Sequence, residues 1–415
     1  MHIVMLHDTL PAEQPDDAAA AVWRLGQGLI AAGQRVTFIT TTPGTAQVEQ
    51  RGGITVHALH SRYATRWAAW YGLLNPQTVV PLQRTLRALK PDIVHAHDVQ
   101  IHLGYHSLVL GRRSGAATVF TSRNALPFAY RTPELRADRC EDIDYRLPLL
   151  ANWQHARLRW NPTHNLSLRH TMRYYTDAKI AVSETHRQAL AANRLPSFEV
   201  IHDGIKPESV PPEAGLAALR QRLRLGQRAL ILFAAGAPGS DGETQILAAL
   251  RRVHHTVPDA ALWVFGADEP RAARLRRENP DLGDSLLMPQ RDLVGVTRAA
   301  ACALADVLAL PRTIFEPWPL AVLEAQAAGT PAVVSCYGGA REAVIDGATG
   351  IVVHPRDVDA LAGAIVRLLS DADLRSRRGE AGRRRVASSF PLAQQVTATL
   401  DLYERARARR EGAAA

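Results

Sequence analysis

The order of short apolar runs along the 415-residue chain predicts two α/β domains, each a doubly wound parallel sheet covered by helices. Three observations carry this. Segments such as Ile3–Leu6 and Ala261–Phe265 are brief and almost unbroken in apolar side chains, as strands buried on both faces must be. Stretches with helical spacing of apolar residues alternate with them. The series also starts afresh after the proline-rich Lys206–Pro212 segment, so the two units are similar in size. They are expected to face each other across a cleft, with ligands at the carboxyl ends of the strands.

The first series reads Ile3–Leu6 as a strand, then Asp17–Ala32 as a helix with Val22, Leu25, Leu29 and Ile30 on one face and Gly33 as its stop. Gln34–Thr40, Ile54–Leu59, Pro91–His97, Thr118–Thr121, Lys179–Val182 and Glu199–Ile201 continue as strands. In the second series the strands are Ala229–Ala235, Ala261–Phe265, Ser285–Met288, Val307–Ala309, Ala332–Cys336 and Gly350–Val353, with a helix at Thr244–Val257. A C-terminal helix, Ala393–Arg410, is expected to cross back to the first domain, and Arg405–Ala415 to fray. The predicted domains are thus 1–206, 207–392 and the helical tail 393–415.

Composition narrows the class. With 47% hydrophobic and 21% charged residues the chain is globular rather than disordered, collagen-like or disulfide-scaffolded. Cys140, Cys302 and Cys336 are far apart, without zinc spacing, and each is read as a packing residue in a reducing, cytoplasmic compartment. No run of apolar residues is long enough to span a bilayer, and Met1–Leu6 reads as a strand, not a signal peptide. The net charge is +9, almost all from arginine, and the excess is in the first half: residues 1–200 hold 22 basic and 15 acidic groups. Such a skew fits contact with phosphate or anionic lipid. Residues 61–75 and 131–175 mix Trp67, Trp70, Tyr71, Trp153, Trp160, Tyr174 and Tyr175 with arginines. Amphipathic helices that turn these rings inward are the plain reading; a membrane surface or acceptor groove is the functional one.

The densest chemical signal is Phe315–Glu342, FEPWPLAVLEAQAAGTPAVVSCYGGARE. It reads as a loop holding Glu316, a proline-started helix from Pro319 to Ala328 stopped by Gly329, a strand, and a turn at Gly338-Gly339. The free amides of Leu320 and Ala321 at the helix start would cradle a phosphate. One acid before that cradle (Glu316) and one beyond it (Glu324) could grip hydroxyls on either side of a diphosphate.

This segment resembles the Glu-x7-Glu signature of the family 4 retaining glycosyltransferases of the GT-B fold. The resemblance continues through Glu342, Gly347, Thr349-Gly350 and His354-Pro355. Upstream it includes Val94-His95-Ala96-His97, Ala181-Val182-Ser183 and Val200–Ile205. It implies a GT-B protein that transfers a hexosyl group from a nucleotide-diphosphate sugar with retention at the anomeric carbon and without a metal or other cofactor. Glu316 would contact the sugar near the reacting carbon. Glu324 would bind the ribose hydroxyls, and Gly236, Leu320 and Ala321 would border the donor. The expected acceptor is lipid-linked or a polysaccharide, in the cytoplasm or peripherally at the inner face of an anionic membrane.

The sequence departs from that pattern at the donor site. A glycine-glycine loop is replaced by Asp16-Asp17-Ala18-Ala19, and a His-Asp pair by Arg123-Asn124. The Arg and Lys of the diphosphate clamp fall at Ala237 and at Asp241 or Gly242. A glycine becomes Pro319, which has no N–H to donate, and Asn-Gly-x-Asp becomes Asp203-Gly204-Ile205-Lys206. Each lost charge-assisted bond removes about 1.5–3 kcal/mol. Two outcomes are therefore open. Arg123, Lys206 or a neighbouring arginine supplies a replacement cation and transfer persists, or the chain is a non-catalytic paralogue that binds a nucleotide, a sugar or a partner protein.

Other signals are set aside. His95, His97, His102 and His106 cluster without the carboxylates or thiols that would complete a metal shell. No Gly-x-Gly-x-x-Gly follows a strand, which removes a nicotinamide dehydrogenase. No reader module supports nucleic-acid binding. The base-contacting loop, by resemblance near Pro289–Arg291, carries no readable code.

Overall fold

A computed structural model describes residues 1–9, 17–129, 133, 135, 137–148, 153, 161–206, 212–236, 242–288 and 296–412. Its contacts divide into two units. One comprises Met1–Pro133, Tyr145–Gly204 and Leu392–Ala415; the other comprises Glu134–Asp144 and Ile205–Pro391. The junctions thus fall at 204/205 and 391/392. The stretch 134–144, read from sequence as part of the first domain, belongs to the second.

The first unit is built on β1 (His2–His7), β2 (Arg35–Thr42), β3 (Gln47–Arg51), β4 (Ile54–His60), β5 (Ile93–His97), β6 (Ala117–Ser122), β7 (Ala178–Ala181) and β8 (Glu199–Val200). Their order is β3-β4-β2-β1-β5-β6-β7-β8. Every neighbouring pair is parallel except β3–β4. Each residue of β1, β5 and β6 is buried, which is why these strands read as continuous apolar runs. β3 was not expected from sequence: its QVEQR stretch lies on the sheet edge with Val48 63% exposed, so it shows no buried alternation.

The Leu392–Gly412 helix packs with this unit through Val396, Thr399, Leu402, Tyr403 and Ala406, one helical face. It does not fray at Arg405, whose guanidinium bonds Glu199 at 2.6 and 2.8 Å. The aromatics of 61–75 do not turn inward either. Trp67, Trp70 and Tyr71 are 40%, 47% and 36% exposed, and Trp153 and Tyr174 are more so; Trp160 lies outside the described residues.

The second unit orders β9 (Leu230–Ala234), β10 (Ala261–Phe265), β11 (Leu286–Leu287), β12 (Val307–Leu310), β13 (Ala332–Ser335) and β14 (Gly350–Val353) as β11-β10-β9-β12-β13-β14, all parallel. From β9 the chain steps outward to β10 and β11, then returns to the other side of β9 for β12. Strand order therefore reverses between β9 and β12. In the first unit it reverses between β1 and β5. Loops leaving adjacent strands at a reversal diverge and open a crevice at their carboxyl ends.

The first unit buries histidine beside arginine. His95 Nδ1 lies 2.6 Å from the Tyr403 hydroxyl and its Nε2 2.7 Å from Thr121 Oγ1. Burial, with Arg123 alongside, holds the His95 ring well below its usual pKa. Burial, then the neighbouring His95 and Arg123, does the same for His97. Burial also lowers His2, His57, His102, His106 and His164. An unfolded histidine takes its proton near pH 6.5, and these folded ones do so only at lower pH. Below about pH 6.5 the unfolded chain therefore binds more protons, and the fold loses stability as pH falls. Urea unfolding is expected to be flat from pH 8 to 7 and to weaken from 6.5 to 5, by up to about 1.4 kcal/mol per pH unit for each excluded proton. His97→Asn is expected to flatten that slope; an unchanged slope in the variant contradicts the assignment.

Candidate functional site

In the second unit the reversal between β9 and β12 brings the loop at Gly236 beside the loop that starts at Pro311. The approach is very close. Gly242 caps the Glu243–Val253 helix at φ 89°, and a side chain there would begin 2.1 Å from the Pro311 carbonyl oxygen. Only glycine fits both the conformation and the space.

Arg312 follows directly and is 6% exposed. Its Nε donates to Glu316 Oε2 at 3.1 Å and its Nη2 to the Ala234 carbonyl at 2.9 Å. Its Cζ stands 5.7 Å from the Phe233 ring centre, and a Cβ on Gly236 would lie 3.1 Å from its Nη1. Arg271, also buried, donates to the Gly236 carbonyl at 2.7 Å and to Glu243 at 2.6 Å. Arg274 adds a second bond to Glu243, at 2.5 Å.

Glu316 is fixed from a third side. β13 ends in a turn where Gly338 has φ 71° and its missing Cβ would fall 2.1 Å from the Glu316 carbonyl oxygen, which accepts the Gly339 amide at 2.9 Å. The loop after β12 thus lies against the loop after β9, at Gly236 and Gly242, and against the turn after β13, at Gly338, and the Glu316 side chain within it stays 25% exposed. The helix runs Leu320–Ala328, with Pro319 as its N-cap and Gly329 closing it at φ 83°. Val322 bonds the Pro319 carbonyl, and the Leu320 and Ala321 amides find no acceptor among the described residues. Glu324 is held by Arg298 through two bonds, at 2.5 and 3.1 Å. Beside this pair, burial above all raises the thiol pKa of Cys302.

The 135–144 stretch braces the same loops. The Leu135 amide donates to the Thr313 carbonyl at 3.2 Å, and the Ala137 carbonyl accepts the Tyr337 hydroxyl at 3.2 Å and lies 2.9 Å from His354 Nε2. Cys140 is disulfide-bonded to Cys336, which stands between β13 and the Gly338 turn. Reading all three cysteines as packing residues is thereby corrected for two of them. Spacing along the chain did not exclude a bond across 196 positions.

The two expected replacement cations are placed elsewhere. Arg123, in the first unit, gives Nε to Asp203 Oδ2 at 2.9 Å and Nη2 to Oδ1 at 2.6 Å, and its Nη1 lies 2.7 Å from His97 Nδ1. Gln395 completes the group by donating to Asp203 at 2.7 Å. Arg123 is thus a buried structural charge rather than a spare one. Lys206 is exposed at the start of the second unit. Asp17 begins the Asp17–Ala31 helix; Asp16, 237–241 and 289–291 lie outside the described residues. Sequence reasoning missed Arg271, Arg298 and Arg312. The one available signal was Arg312 immediately after a buried strand and a proline, where an ordinary chain keeps no charge.

The family profile "Glycosyl transferases group 1" matches residues 218–385, and "Glycosyltransferase Family 4" matches residues 18–209. The chain is 34% identical over 217 residues to a Mycobacterium tuberculosis glycogen synthase, covering 50% of this chain and 49% of that one. It is 33% identical over 217 residues to a GDP-mannose-dependent alpha-(1-6)-phosphatidylinositol monomannoside mannosyltransferase of Mycolicibacterium smegmatis, covering 50% and 56%. The chain spans about half the length of these curated relatives. Among solved structures, sucrose-phosphate synthase from Thermosynechococcus elongatus superposes with a TM-score of 0.73 at 22% identity over 100% of both chains. Anabaena HepE in complex with UDP-glucose does so with a TM-score of 0.70 at 16% identity over 97% and 99%. These two likenesses show the fold.

Thiol counting tests the bracing. Alkylation of the denatured, unreduced chain is expected to label Cys302 alone, and all three cysteines after reduction. Reduction is also expected to lower the melting temperature, because it releases a closure about 196 residues long. Three labelled thiols without reduction would remove the bond.

Proposed function

Because the chain belongs to glycosyltransferase family 4 and has the GT-B fold, we propose that it moves a hexosyl group from a nucleoside-diphosphate sugar to an acceptor hydroxyl, with retention and without a metal. One observation carries this reading. Glu316 stands in the loop after β12, at the strand-order reversal of the second unit, held by Arg312 and by the Gly338-Gly339 turn, four residues ahead of two helix amides that have no described acceptor. Ligands of open parallel sheets bind at such reversals, and amides at a helix start favour phosphate. The bond from the anomeric carbon to the diphosphate breaks, the acceptor oxygen bonds to that carbon, and the acceptor's proton leaves with the nucleoside diphosphate. Glu316 stands against the sugar as positive charge develops there. Glu324, oriented by Arg298, receives the ribose hydroxyls.

A second reading, a protein that binds the nucleotide without transfer, draws support from the same ion pair. Arg298 already fills both oxygens of Glu324, and a ribose must share or displace it.

A donor panel decides between them. Wild type in EDTA is expected to transfer or hydrolyse at least one nucleoside-diphosphate hexose, and Glu316→Gln to lose about 10²–10³-fold in kcat. Saturable binding with no turnover across the panel supports the second reading; no binding of any donor overturns both.

The exposed Trp67, Trp70 and Tyr71 beside Arg62 and Arg66 support a peripheral site for an anionic membrane carrying the acceptor. Co-sedimentation with anionic liposomes at low salt is expected, and Trp67→Ser/Trp70→Ser is expected to weaken it. Equal sedimentation with zwitterionic and anionic liposomes, or none with either, removes this site.

A further inference from the structure

We propose that Arg312 is the cation against which the donor's diphosphate is bound; this rests on the nucleoside-diphosphate reading above and assigns it a counter-charge. A leaving diphosphate needs positive charge close by. The loop after β9 and the first two turns of its helix bring none, for no lysine or arginine occurs between residues 229 and 250; Arg251 and Arg252 stand in the helix's last turn. The adjacent strand supplies one instead. Arg312 leaves β12 at the strand-order reversal, and its Nη1 edge faces Gly236, a residue with no side chain to stand between the guanidinium and the loop.

Around Gly236 the described charges are paired: Arg271 and Arg274 share Glu243, Arg274 also bonds Glu278, and Arg312 bonds Glu316. Arg271 and Arg274 are committed to Glu243, itself 7% exposed, whereas Arg312 sets its Nη1 3.1 Å from where a Cβ on Gly236 would stand. Arg312 lies beneath Glu316, whose partial exposure opens the pair to solvent on one side only. A phosphate entering there meets a guanidinium already desolvated and already oriented by the Ala234 carbonyl. Its charge acts at a lower effective dielectric than that of a surface lysine. The same guanidinium touches Glu316, so one side chain would link the group holding the sugar to the group binding the departing phosphate.

The test is equilibrium binding of uridine, UMP and UDP, and of the guanosine and adenosine series, to the wild type, Arg312→Gln and Arg312→Lys, followed by calorimetry. For the base that binds, wild type is expected to gain at least about tenfold from nucleoside to diphosphate. Arg312→Gln is expected to lose about 10- to 100-fold for the diphosphate, with nucleoside affinity unchanged and a shallower salt dependence. Arg312→Lys, which keeps the charge but not the forked geometry, should lose about five- to tenfold. A folded Arg312→Gln that binds the diphosphate like wild type overturns the assignment. If that variant does not fold, Arg312→Lys decides, and wild-type affinity in it overturns the assignment. No gain from nucleoside to diphosphate in the wild type also overturns it. If no diphosphate or nucleotide sugar binds the wild type, the donor reading itself fails; diphosphate binding indifferent to residue 312 removes Arg312 alone.

Discussion

The contact between the backbone at Gly242 and the carbonyl of Pro311 is the constraint on which the second unit's chemistry depends. It presses the helix after β9 against the first residues beyond β12, where the guanidinium of Arg312 bonds Glu316 and lies against Gly236. A side chain at 242 would push these strand ends apart. The Gly338 turn closes the third side, and the Cys140–Cys336 bond anchors that turn to a stretch of chain from far upstream.

Much of this was legible from local pattern. Strands buried on both faces appear as short apolar runs, and β1, β5, β9, β10 and β13 lie within a residue or two of where those runs predict them. The Glu316 loop, the helix start at Leu320 and the glycine turn follow from residues close together in sequence. What could not be read depends on partners brought together from a distance. β3 has no apolar face to announce it. Cys140 and Cys336 have no spacing that identifies them as a pair. The identity of the cation beside Gly236 is set by which strand adjoins β9, and no local window contains both Gly236 and Arg312.

The same logic explains two departures from the glycosyltransferase pattern that appeared unrelated in sequence. Arg123 and Asp203 are two of the positions at which the sequence is read as departing, and the structure joins them through two bonds. They form a charged pair, with His97 and Gln395 on its remaining edges. Neither change alone is tolerable in a buried site, since each would leave an unpaired charge. Together they hold the segment before Gly204 to the C-terminal helix and to β5.

That coupling bears on how the missing clamp cations should be weighed. Departures counted one by one argue for loss of function, because each removes a group the chemistry uses. When a departure is matched by a partner on a neighbouring element, the count misleads, since the physical requirement is a charge at a place and not a residue at a position. The Arg123–Asp203 pair places a charge and its partner on separate segments of the first unit. Arg312 beside Gly236 has the same form in the second: a positive charge absent from one loop and present on the adjoining strand, at a distance that a guanidinium spans.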